Sequence, residues 1–138
     1  MRALMAILDD WLDVHSAWDW PDVSPRVRLV SEWEASARHG TTSSLQSGLL
    51  RGLYDAGRAE ILLVEPWDPR NAQDVSTLLH EMVHHRQAAH DWPCPAAQEL
   101  PAYRLQDEWL AERGMRTNVN WVAVVLESSC TLHHVHPD

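Results

Sequence analysis

Two pairs of prolines, Pro66 with Pro69 and Pro93 with Pro95, bracket a stretch that contains no proline or glycine, and this constrains the fold more than any other feature. Proline lacks a backbone donor and restricts the residue before it, so regular structure is interrupted at both ends. Between the breaks, Asn71 or Asp74 can cap a helix, and Val75, Leu78, Leu79, Met82 and Val83 recur at helical spacing. The pattern predicts a helix running to about His90 or Asp91.

This helix carries His80-Glu81-Met82-Val83-His84, an HExxH string. Positions four apart on a helix lie only ~40° apart around the axis and ~6 Å along it, so both imidazoles can reach one metal ion. Glu81 falls beside them, where a carboxylate can take a proton from a water activated by zinc. Nine His and nine Glu in 138 residues produce the string by chance in roughly 4% of shuffled chains. The helical context therefore matters as much as the letters.

A catalytic zinc normally has three protein ligands and one open position. His90 stands where the longer pattern HExxHxxGxxH has its third histidine, but Gln87 replaces that pattern's glycine. In an unbroken helix His90 points away, ~240° round from His84. Glu99 is the better third ligand, because the proline-rich turn can fold the next helix back beside the first. Asp91 and Cys94 lie in the turn itself and read more simply as a cap and a packed thiol. Asp107 and Glu108 read as a solvated face, and His133, His134 and His136 as part of a frayed tail. The expected ligands of one zinc per chain are thus His80, His84 and Glu99.

Together with Glu99-x-x-Ala102, HExxH resembles the paired motifs of gluzincin-type zinc metallopeptidases, above all the single-domain minigluzincins. The likeness spans roughly residues 49–114, and Pro101 inside the second motif departs from it. The resemblance implies a small sheet whose edge strand precedes the zinc helix. Residues 60–65 match that place, and an extended peptide or protein substrate would pair along them.

Other side chains carry weaker expectations. Tyr103, one turn after Glu99, can offer its hydroxyl to a developing oxyanion, although a core tyrosine is the simpler reading. His85 shares a face with Glu81, and Tyr54 lies on a hairpin. Gln87, Gln98 and Gln106 are all candidates to hydrogen-bond the ligands, with no spacing to choose among them. Trp67 and Trp92 read as pocket walls. Cys94 and Cys130, the two cysteines, can staple the start of the Glu99 helix to the C-terminal segment; a reducing compartment would leave them as thiols, and a disulfide would argue for export.

The remaining chain reads as α+β, a small antiparallel sheet with an edge strand packed on helices, in one minimal domain spanning 1–138. Residues 3–18 are an amphipathic helix, 26–33 a strand, 38–48 an exposed loop, and Asp55-Ala56-Gly57-Arg58 the turn of a hairpin. Helix is expected from 96 to 113, kinked at Pro101 or with its first turn just before it, while 118–129 lacks a decisive period and reads as helix or strand, with helix favoured. A net charge of −9 speaks against nucleic acid and anionic membranes as partners. Six apolar residues before Asp9 and Asp10 are too few for a secretory segment, so a cytoplasmic location is expected. The leading functional reading is a zinc-dependent hydrolase, with a non-catalytic zinc-containing regulatory or protein-binding module as the alternative.

Overall fold

The computed structural model describes residues 1–19, 21–38 and 49–130, and residues 42–46 through their backbone. The order of elements is α1 (Arg2–His15), β1 (Arg26–Val30), α2 (Glu32–Ser36), β2 (Thr42–Gln46), β3 (Leu49–Asp55), β4 (Glu60–Val64), α3 (Ala72–Gln87), a 3-10 turn (Pro95–Gln98), α4 (Glu99–Ala111) and α5 (Trp121–Ser128). The α+β class and the hairpin at 55–58 are as expected. Two short elements are not: Ser31 accepts from the Glu34 N–H and starts α2 inside the expected strand, and β2 lies inside the expected loop.

The sheet order is β1-β4-β3-β2. It is mixed, because β1 runs parallel to β4 while β3 is antiparallel to both β4 and β2. Strand β4 is therefore interior: its two edges are hydrogen-bonded to β1 and β3. The edge position expected for residues 60–65 is held instead by β1 and β2, the outer strands of the described sheet. The apolar run Ile61-Leu62-Leu63-Val64 already fits an interior strand, since both its faces are buried. Ile61 and Leu63 meet the core built on α1, α3 and α4, whereas Leu62 and Val64 pack against Val30, Ala35 and Leu53 on the other face.

Helix α3 lies in the middle of the larger core and is buried continuously from Val75 to Gln87. Its start is fixed by three contacts: the Asn71 side chain accepts from the Asp74 N–H, the Trp67 indole donates to the Asp74 carbonyl, and the Asp74 carboxylate accepts from the Asp68 N–H. Its end comes at Gln87, three residues earlier than its composition suggests. There the Gln87 carbonyl accepts from the His90 N–H at 3.0 Å and from the Trp92 indole at 3.0 Å, which closes the helix with a tight turn. Trp67 and Trp92 thus brace the two ends of α3, a role different from the pocket walls expected of them.

Arg86 ties α3 to α1 and the chain that follows it. The guanidinium reaches the Asp9 carboxylate at 3.1 Å, the Asp13 carboxylate at 2.9 Å and the carbonyls of Asp9 and Trp18. Burial pushes the Asp9 carboxyl up to about 6 even with Arg86 beside it.

Pro101 falls in the first turn of α4 and not in its interior. It is the third residue of the helix, where the backbone N–H has no partner in the helix to lose. The C-terminal segment holds this turn in place. Ser128 at the end of α5 accepts from the Leu100 N–H and donates to the Ala96 carbonyl, and Cys94 is disulfide-bonded to Cys130. The expected helix at 118–129 appears as α5, and the tail with His133, His134 and His136 lies outside the described residues.

Candidate metal centre

Packing of α3 against α4 brings three chemically matched atoms to one point. His80 Nε2 lies 3.0 Å from Glu99 Oε1, His84 Nε2 lies 3.1 Å from the same oxygen, and the two Nε2 atoms are 3.1 Å apart. His80 and His84 are fully buried, and the Glu99 side chain is 18% exposed. Among the described residues this is the grouping of His, Cys and carboxylate side chains able to hold a metal ion.

The far nitrogens show why the near ones converge. His80 Nδ1 is 2.9 Å from Gln106 Oε1, and His84 Nδ1 is 2.7 Å from Gln87 Oε1. Each amide orientation is set by its other end: Gln87 Nε2 donates to the Gln98 carbonyl, and Gln106 Nε2 donates to Ser76 Oγ, whose own proton goes to the Gln73 carbonyl. Both glutamine oxygens therefore accept, so both imidazoles carry a proton on Nδ1. In the neutral rings Nε2 is then a bare lone pair.

Two lone pairs and a carboxylate oxygen within 3.1 Å repel one another unless a positive charge sits among them. A tetrahedral ion with bonds of ~2.0–2.1 Å holds its ligand atoms ~3.3–3.4 Å apart, so the triangle accepts zinc after a shift of a few tenths of an ångström. Without a metal, a proton supplies the charge. Burial works to lower the His84 basicity, but the Glu99 carboxylate, its hydrogen bond and the charge of Glu81 outweigh it and raise the imidazole to about 9. Burial works to raise Glu99, but the charge of His84 and the hydrogen bonds from both histidines outweigh it and hold the carboxyl at about 2.

Of the other expected residues, Glu81 is fully buried on α3 and within electrostatic reach of His84. Tyr103 is buried with its ring centroid 4.3 Å from that of His80, so it forms a wall of the cluster. His90 is exposed and outside the cluster, and Cys94 is taken by the disulfide. Asp107 is engaged by Arg116 and the Thr117 N–H. His85 is turned away: its Nε2 donates to the Val23 carbonyl at 2.6 Å and its Nδ1 accepts from the Tyr54 hydroxyl at 2.7 Å. Burial lowers its basicity, as suits a neutral structural histidine.

Spacing along the chain does not single out these two glutamines: Gln87 is three residues beyond His84 on its own helix, but Gln106 reaches His80 across from α4. Gln98 contributes its backbone carbonyl to this network.

A family model matches residues 1–138 from end to end. The chain belongs to DUF6647, a domain of unknown function. No curated protein and no solved structure matches it. The DUF6647 family carries no assigned chemistry, so for this DUF6647 chain the argument for function rests on the cluster itself.

Proposed function

We propose that this chain is a zinc-dependent hydrolase and, by its resemblance to the gluzincins, a small peptidase, with zinc held by His80, His84 and Glu99. The observation that carries the proposal is the convergence of three lone-pair atoms at 3.0–3.1 Å with both Nδ1 protons committed to glutamine oxygens. Zinc, when bound, supplies Lewis acidity that polarises a carbonyl and brings the pKa of a water towards ~7. Glu81, buried next to His80 on α3 and within electrostatic reach of His84, would accept the water proton on its carboxylate and pass it to the leaving amine. Tyr103 lies against His80, and its hydroxyl is the candidate for stabilising an oxyanion.

A peptide cannot add to β4, whose edges are both engaged. The edges of the sheet are β1 and β2, and β2 is the one that packs near α3, which carries the site, so an extended peptide would add there. No helix among the described residues is long and apolar enough to cross a membrane. The Cys94–Cys130 disulfide favours an oxidising compartment over the cytoplasm.

One observation favours the non-catalytic module: His80, Glu81 and His84 are each 0% exposed, as in a closed structural site. Glu81→Gln separates the two readings. In a hydrolase it removes turnover of a peptide library while zinc content and melting temperature hold. In a structural site it changes the fold or the metal, with no activity to lose. The first experiment is zinc content by mass spectrometry for wild type and Glu99→Ala. One zinc per chain in wild type and its loss in the variant support the site; wild type without zinc after incubation with the metal refutes it.

A further inference from the structure

Gln87 occupies the place where the longer histidine pattern has a glycine, and here the residue is fully buried and turned inward. Its Oε1 accepts from His84 Nδ1–H at 2.7 Å, and its Nε2 donates to the Gln98 carbonyl at 3.0 Å, one residue before Glu99. We propose that Gln87 is a positioning residue that sets two of the three ligands at once, and that a carboxamide is required at this place. The inference rests on the metal-centre reading above.

The requirement follows from donor and acceptor counting. The His84 side of Gln87 needs an acceptor, and the Gln98 side needs a donor, because a carbonyl can only accept. Glutamate has the same shape but offers an oxygen on both sides. At residue 87 it would face one buried acceptor with another, push the Gln98 carbonyl away and carry Glu99 with it. Leucine would leave His84 Nδ1–H and the Gln98 carbonyl both without their partner.

Gln106 looks equivalent in sequence but is not. Its Nε2 donates to Ser76 Oγ, and a hydroxyl can reverse. With glutamate at residue 106, Ser76 would turn its proton from the Gln73 carbonyl to the new carboxylate, and His80 Nδ1–H would gain a charged acceptor. That makes the imidazole a stronger base and a stronger ligand. The same isosteric change should therefore act in opposite directions at the two glutamines: Gln87→Glu weakens the metal site, and Gln106→Glu strengthens it.

The test is zinc affinity of the full-length chain by chelator competition. Gln87→Glu and Gln87→Leu are expected to lose ~10–100-fold, and Gln106→Glu to bind more tightly than wild type. Gln87→Glu binding as tightly as wild type, or Gln106→Glu weakening as Gln87→Glu does, overturns the proposal. Should the Gln87 variants not fold, nitrogen-15 NMR of zinc-loaded wild type reads the same contacts. A protected Nδ1 proton on His84 and slowly exchanging Gln87 amide protons are expected; a proton on His84 Nε2, or fast exchange at the Gln87 amide, overturns it. Wild type that binds no zinc at all overturns the metal centre itself and this inference with it, an outcome distinct from the others.

Discussion

In the proposed zinc site a proton and the metal ion would compete for the same lone pair of His84, and the structure sets the size of that competition. In the metal-free protein the Glu99 carboxylate keeps the imidazole protonated to about 9, against 6.5 for an ordinary histidine. Zinc must expel this proton, so its apparent affinity should rise tenfold per pH unit up to ~9 and then level off. Between pH 7 and pH 9 the gain is about 50-fold, roughly 2 kcal/mol, because half of His84 is still protonated at pH 9. Chelator competition across this range measures the slope, and calorimetry in two buffers of different ionisation enthalpy counts the proton released. Glu99→Gln removes the charge that raises His84 and should flatten the slope while weakening binding overall. An affinity in wild type that does not change between pH 7 and 9 would refute the ion-pair argument. The same pair has a signature in the metal-free fold. His84 is raised, so its contribution to stability is complete below ~6.5 and disappears as pH rises through about 9; Glu99 is lowered, so its contribution is complete above ~4.5 and disappears as pH falls towards about 2. Thermal melts without zinc should peak between these limits, and zinc should abolish the alkaline decline.

The Cys94–Cys130 bridge closes a loop of sequence separation 36, so replacing both cysteines by serine should cost ~3–4 kcal/mol in urea denaturation. It should also weaken zinc binding, because the bridge and Ser128 fix the turn that presents Glu99; unchanged affinity would show that α4 holds Glu99 unaided. Arg86→Met leaves the Asp9 carboxylate buried without its cation and should cost ~3–5 kcal/mol at pH 8. Asp9 has its carboxyl raised to about 6, so at pH 5 it is neutral and the loss should be smaller; an equal loss at both pH values contradicts this account. His85→Phe strands the Val23 carbonyl and the Tyr54 hydroxyl, and should cost ~1–3 kcal/mol while zinc content stays at one per chain; loss of zinc would place His85 in the site after all.

The local facts were legible in the chain. HExxH between proline breaks gave a helix with two imidazoles on one face, since that depends only on helical pitch, and the hairpin at 55–58 followed from its turn residues. Pro101 was resolved by neighbouring structure: the 3-10 turn at Pro95–Gln98 and the Ser128 contact set where α4 begins. What the sequence misplaced was long-range. Residues 60–64 read as a strand, but only the return of β1 in parallel beside them makes them interior rather than an edge. Helix α3 stops at Gln87 because the Trp92 indole takes its carbonyl, and composition does not record that contact.

The sequence by itself determined which atoms can serve as ligands and that two of them share one helix. Tertiary structure brought Glu99 to the histidines and set the aim of all three side chains, because Glu99 meets the histidines only when α4 packs on α3 and the C-terminal segment pins its first turn. It also chose two glutamines from several. A hydrogen bond has a direction and a reach of about 3 Å, so which amide fixes which imidazole is settled by packing across helices and not by spacing along the chain.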